Sequence, residues 1–180
     1  MSVAEIVVQK KAKLVNFLPS LMSQSEFYTL EQELSMLKNY ICLYGEIYPD
    51  RLHVEYQIDP SLLQIQIPSL LLQPIVENAL VHGMENKVGQ CLIKIEIIKK
   101  GDMVYATIED DGNGISAKRM MQLMKDDISP SGRVGLLNVR KRLRIVYGEH
   151  ARLTIDSEEG KYTRVTVSFP LKPIQLDESI

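Results

Sequence analysis

Leu30, Leu34, Leu37, Ile41 and Tyr44 recur at intervals of three and four, the spacing of one face of an α-helix. Residues 1–48 read as helical on this pattern, with Pro19 and the polar stretch SQSEFY marking a kink or break. Ser2 with Glu5 and Thr29 with Gln32 fit the capping box, in which two side chains satisfy each other's backbone N–H groups at a helix start. The period then changes to two. In RLHVEYQID (51–59), Leu52, Val54, Tyr56 and Ile58 fall on one face of a predicted strand. Pro60 and Pro68 frame a connecting loop. From Leu70 to His82 the helical period returns through Leu71, Ile75, Val76, Ala79 and Leu80, with Pro74 tolerable only in the first turn and Gly83 as the expected stop.

Further on, CLIKIEIIKK and MVYATIED are predicted as two strands joined at Gly101-Asp102, a hairpin signal. Ser116 can cap a short helix through Met124, and KDDISPSG is loop by composition. A helix covers 135–147, and RLTIDS with TRVTVSFP closes the chain as a hairpin turned by EEGKY. Strands gathered into hairpins with helices between them predict an α+β fold. It is a two-layer sandwich, a mixed and mainly antiparallel sheet with helices on one face, preceded by N-terminal helices.

Composition changes this picture little. The 180 residues suffice for one well-buried domain and an accessory element. No apolar run approaches the roughly 18 residues of a membrane span, and the N-terminus lacks a signal-peptide pattern, so a cytoplasmic location is expected. Cys42 and Cys91 stand far apart with no metal-ligand spacing, which argues against a disulfide framework or a zinc site. A net charge of −2 argues against a nucleic-acid partner. One basic cluster remains: Arg133, Arg140, Lys141, Arg142 and Arg144 in RVGLLNVRKRLR. It is either a solvated helix face or an anion site near the start of that helix.

The chemistry concentrates in three places. In QPIVENALVHG, Glu77, Asn78 and His82 interrupt an apolar segment, and Asn78 and His82 share one side of the helix. A solvated face would explain them. The alternative is that Asn78 offers a hard oxygen to magnesium, an ion commonly shared with substrate phosphates, while Glu77 orients or deprotonates a reacting group. In IEDDGNGIS two carboxylates precede two glycines, which is either a hairpin turn or a ligand site needing a carboxylate and close backbone approach. An ionised carboxylate only accepts hydrogen bonds, so Asp110 would select the amine of adenine over the carbonyl of guanine. In SGRVGLLNV a glycine loop runs directly into a helix, aiming free amides at an anion.

Taken together, LLLQPIVENALVHG, IEDDGNGIS and GLLNVRKRLRIVYG, followed by EEGKYTRVTVSFPL, resemble the asparagine and glycine boxes of GHKL-type, Bergerat-fold ATP-binding domains. More narrowly, they look like sensor histidine kinases of the LytS/YehU type in bacterial two-component systems. TLEQELSMLKNYICLYGEIYPDRLHVEYQID resembles that group's link between dimerisation helices and ATPase domain. The resemblance implies a partial dimerisation helix and linker helix over 1–48, an ATPase catalytic domain over 49–173 and a tail over 174–180.

It also implies ATP and Mg2+ as cofactors. Asn78 would be the metal ligand, with Glu77 and His82 beside the phosphates and Glu77 and Asn78 as the catalytic pair. Asp110 would bind the adenine amine, and Gly112, Gly114 and Gly135 would shape the pocket and lid, with Leu136 and Arg133 also at the nucleotide. Ser116 to Val134 would form the ATP lid. The implied partners are a histidine-bearing dimerisation helix of the same kinase, a cognate response regulator, and a second copy in a full-length homodimer.

Two departures stand out. The family's last box reads Gly-x-Gly-Leu, and here Arg133 replaces the first glycine. The phosphoacceptor context HFxFN is absent, and His53, His82 and His150 fall on a strand, beside the asparagine box and in a turn. The chain is therefore expected to be the C-terminal portion of such a kinase. Two alternatives stay open: a GHKL ATPase with another target, such as an anti-sigma serine kinase, and a non-catalytic interaction module with a degenerate ATP site.

Overall fold

The computed structural model describes residues 26–84, 87, 89–125 and 134–172. The cap at Ser2, the break at Pro19, the side chain of Arg133, the loop after Lys125 and the tail from 174 lie outside the described residues.

Phe27–Thr29 form a short strand, β1, at the end of the SQSEFY stretch where a kink or break was expected. The extended backbone of Thr29 is the conformation an N-cap needs, and helix α1 (Leu30–Ile47) follows at once. Thr29 Oγ1 accepts from Gln32 N at 3.1 Å, and Thr29 N donates to Gln32 Oε1 at 2.9 Å. The capping box forms as the sequence predicts. Leu30, Leu34, Leu37, Ile41 and Tyr44 are all buried.

Strand β2 (Leu52–Ile58) comes next, and a 3-10 turn and a short strand β3 (Gln66–Pro68) occupy the loop between the two prolines. β3 pairs antiparallel with β1, closing a two-stranded ribbon around the start of α1. Helix α2 (Gln73–Met84) starts three residues later than expected. Leu70 adopts a left-handed backbone (φ 56°), which the helix cannot include. The later start places Pro74 second in the helix, where its missing N–H costs nothing. Gly83 is not the stop; the helix runs on to Met84.

The hairpin β4 (Cys91–Lys100) and β5 (Met103–Asp110) turns at Gly101, φ 59°. Helices α3 (Ala117–Lys125) and α4 (Val134–Tyr147) follow, then β6 (Arg152–Glu158) and β7 (Tyr162–Pro170). The five-stranded sheet has the order β2-β4-β5-β7-β6. Its β2–β4 pair is parallel and the other pairs are antiparallel, so the sheet is mixed and mainly antiparallel.

Register explains where a site can form. Ile95, Ile108, Val165 and Ile155 align across four strands as one apolar row. Two residues along, toward the end of β5, the aligned row is Ile93, Asp110, Thr163 and Ser157. The core thus ends on a polar edge at Asp110. α2 packs on β4 and β5, and α4 on β6 and β7, covering this face. The opposite face is polar, with Arg164 bonded to Glu109 at 2.6 Å and to Asp156 at 3.2 Å. Such half-exposed pairs contribute about 0–1 kcal/mol each, against about 1.5–3 kcal/mol for each buried Ile or Leu. The core therefore carries the stability, and it is continuous: the buried residues of α1 belong to the same cluster as those of the sheet, with no division at residue 48.

Candidate functional site

At the end of β5 alternation sends Ile108 in, Glu109 out and Asp110 in, and Asp110 is only 4% exposed. Burial pushes its carboxyl up to about 7, opposed by the Gly112 N–H that donates to Oδ1 at 3.0 Å. Asp111 does something different. Its Oδ1 accepts from Leu92 N and pairs with Lys87 Nζ, each at 2.8 Å, so it extends the β4–β5 ladder and faces a cation. Burial acts to raise Asp111 too, but Lys87 and the Leu92 amide outweigh it and hold the carboxyl below its ordinary range. The adjacent acids are thus one structural and one turned to the interior.

The glycines of the turn serve the backbone more than a ligand. A β-carbon on Gly112 would lie 2.6 Å from both Gly83 Cα and Asp110 Oδ1. Gly83 and Gly112 touch because neither has a side chain, which brings the end of α2 against the turn and shuts the cleft behind Asp110. Gly114 has φ +64°, and a β-carbon there would overlap the carbonyl of Glu158 in the β6–β7 turn. The same turn is fastened by Gly160 N to Asn113 O at 2.7 Å and Ile115 N to Ser157 Oγ at 2.8 Å.

Gly114→Ala should therefore destabilise the domain by about 2 kcal/mol or more, combining left-handed strain with backbone overlap. Gly160→Ala, equally left-handed (φ +80°) but with open space around it, should lose only about 1 kcal/mol. Denaturant titration of both variants checks the order, and equal losses would refute the packing role of Gly114.

A cavity of about 180 Å³ opens between α2, α4 and the sheet. Asp110 lines it together with Ile108, Ile155 and Val165, which give it an apolar floor. Asn78 and His82 line it from α2, Gly114 from the turn and Leu136 from α4. Of the other expected site residues, Glu77 is not in the lining; it accepts from Gln73 Nε2 at 2.9 Å and faces Tyr40 of α1. Gly112 supports Asp110 from behind. Gly135 packs against Pro74, where a β-carbon would approach Pro74 Cβ to 3.2 Å, so it seats α4 on α2. Arg133 falls outside the described residues.

Two arginines that also line the cavity were not assigned to the site from sequence: Arg119 of α3 and Arg140 of α4, both exposed. Arg140 was visible only as one charge in a basic cluster. Its spacing from Leu136, one helical turn, is the signal that would have placed it on the cavity side.

These residues fit a nucleotide. An apolar lining with one buried acceptor suits an adenine, and two exposed arginines suit phosphates. Among the described residues no group of three or more His, Cys, Asp or Glu could hold a metal by themselves. The oxygen of Asn78 fits an ion whose remaining ligands come from phosphates and water.

Comparison with known proteins bears on the family and the fold. Residues 65–173 match the model of the family described as histidine kinase-, DNA gyrase B- and HSP90-like ATPase. The sensor histidine kinase YpdA of Escherichia coli (strain K12) is 35% identical over 128 residues, 71% of this chain and 22% of that protein. The sensor protein LytS of Bacillus subtilis (strain 168) is 32% identical over 151 residues, 83% of this chain and 26% of its own length. The chain thus spans about a quarter of the length of these relatives. Among solved structures, the catalytic domain of histidine kinase ThkA superposes with a TM-score of 0.60 at 15% identity, covering 83% of this chain and 100% of that one. That likeness carries the fold, the α+β sandwich described above. With Asp110 and Asn78 on one cavity and the match running through both, the chain belongs to the histidine kinase-, DNA gyrase B- and HSP90-like ATPase family.

Proposed function

We propose that this chain is the ATP-binding catalytic part of a two-component sensor histidine kinase, acting in the cytoplasm on a histidine of a dimerisation helix that is not in this sequence. The observation that carries the reading is the convergence of Asp110, Asn78, Arg119 and Arg140 on one cavity. Asp110 accepts from the adenine amine, and Arg119 and Arg140 meet the phosphates. Asn78 would hold Mg2+, which would supply neutralisation of phosphate charge there.

The acceptor imidazole nitrogen then attacks the γ-phosphorus, a nitrogen–phosphorus bond forms, the bond to the β-phosphate oxygen breaks, and ADP leaves. Positioning and charge neutralisation supply most of such a rate. Glu77, held by Gln73 beside α1, is an orienting group more readily than a base at the phosphates. The partners that follow are the histidine-bearing helix, a response regulator that takes the phosphoryl group, and a second copy of the full-length kinase.

None of the three histidines of this chain suits the acceptor role. His53 and His150 are exposed on β2 and in the turn after α4, and His82 is fixed one turn from Asn78 on the same helix. With labelled Mg-ATP, the chain alone should gain no acid-labile, base-stable phosphate. Adding a fragment that bears the histidine helix should put label on that fragment. Stable label on the chain alone would overturn this reading.

A further inference from the structure

Helix α2 carries Asn78 and His82, yet nothing near its own start caps it. Leu72, at the N-cap position, has no side-chain acceptor, and the preceding residues are Ser69, Leu70 and Leu71. Pro74 has no N–H to satisfy, and Ile75 N turns back to Leu72 O at 3.0 Å. The remaining donors, Leu72 N and Gln73 N, both reach Glu33 Oε1, at 2.5 Å and 3.3 Å, from a helix almost forty residues earlier in the chain.

Glu33 is fully buried, and its other oxygen, Oε2, has no hydrogen-bond partner among the described residues. A buried carboxylate left half-satisfied costs stability, and an apolar residue at this point in the α1 stripe would avoid that cost. What the side chain supplies instead is an acceptor oxygen for the amides at the start of α2. Burial pushes the carboxyl up to about 7, against the amides of Leu72, Leu71 and Gln73 and the charge of Arg142. Arg142 of α4 donates to Ser69 O at 2.5 Å, binding the turn before α2 from the other side. One and two turns further along α1, Leu37 is buried and Tyr40 faces Glu77. Glu33 and Tyr40 therefore face α2 from one side of α1, and Leu37 on the same stripe is buried in the core.

We propose that Glu33 is a positioning residue of the nucleotide site: its carboxylate caps α2 from α1, so that the placement of Asn78 depends on where α1 sits. A displacement of α1 relative to the sheet would pull on the start of α2, only five residues from Asn78, while leaving Asp110 on β5 untouched. The inference rests on the reading of Asn78 as the magnesium ligand.

The test compares Glu33→Gln and Glu33→Asp in the whole chain. Gln keeps the acceptor at its full reach, and Asp keeps the charge but is one methylene short. By calorimetric titration, E33D should bind Mg-ATP about tenfold more weakly, the size of a lost helix cap, with metal-free ADP weakened less than about threefold. E33Q should bind both within about threefold of the parent. Amide exchange at Leu72 and Gln73 should accelerate in E33D alone. Unchanged Mg-ATP affinity in E33D, equal weakening of both ligands, or an E33Q as impaired as E33D would each overturn the proposal. If Asn78→Ala leaves Mg-ATP affinity intact, the reading of the site has failed instead. Exchange at the two amides still decides the cap, and unchanged exchange in E33D would overturn it.

Discussion

Replacing Asn78 by alanine is expected to reduce phosphoryl transfer to a supplied histidine helix by at least about a hundredfold, the usual scale for removing a group that stabilises developing charge. The fold should survive, because alanine is the best helix former and Asn78 is only partly buried on α2. Metal-free ADP should bind the variant within a few-fold of the parent, since the adenine contact is proposed for Asp110 on β5 and not for Asn78 on α2. Single-turnover transfer assays with and without magnesium check this. Normal transfer by the variant would remove the metal role from Asn78.

Replacing Asp110 by asparagine is the second large change. Asparagine keeps an acceptor oxygen but loses the charge, and hydrogen bonds to charged groups are worth about 1.5–3 kcal/mol, so ATP affinity should fall about ten- to a hundredfold. The size of the loss depends on pH, and its sign follows from burial. The free carboxyl titrates at about 7, so much of it is protonated below neutrality. An adenine amine donates a proton toward the carboxylate and favours its ionised form. ATP affinity of the parent should therefore rise about tenfold per pH unit below about pH 7 and level off above it, with a proton released on binding. The Asp110→Asn variant should show no such rise, and parallel pH profiles would contradict the assignment.

The same shift bears on the unliganded domain. Between the ordinary carboxyl value of 3.8 and about 7 the folded state holds the Asp110 proton more tightly than the unfolded chain does. Its contribution to stability is full below that window and is lost as pH rises through it. Glu33, raised to about 7 from 4.5 by burial, acts in the same direction.

Much of this was legible locally. The capping box at Thr29, the buried stripe of α1 and the two hairpins follow from spacing and turn chemistry, which depend on residues a few positions apart. Asp110 and Asn78 stand out in the sequence by their chemistry and by the family resemblance, and both line the one cavity. What could not be read is what depends on distant contacts. The β1–β3 ribbon joins residues some forty apart, and each strand is three residues long, too short to show a period. The reason for Gly112 is Gly83, and the reason for Gly114 is Glu158, neither of them neighbours in sequence. Nothing local in the sequence marks Glu33, because its function is set by amides on another element. Glu77, placed beside the phosphates by resemblance, is drawn toward α1 by Gln73 one turn earlier on its own helix.

The central claim is that the cavity at Asp110 takes an adenine nucleotide. Calorimetric titration of the parent chain at pH 8 with Mg-ATP and with Mg-GTP tests it most directly. The buried carboxylate predicts binding of Mg-ATP and at least about tenfold weaker binding of Mg-GTP, whose carbonyl would face an acceptor with no hydrogen to give. Equal affinities for the two nucleotides, or no binding of either, would contradict it.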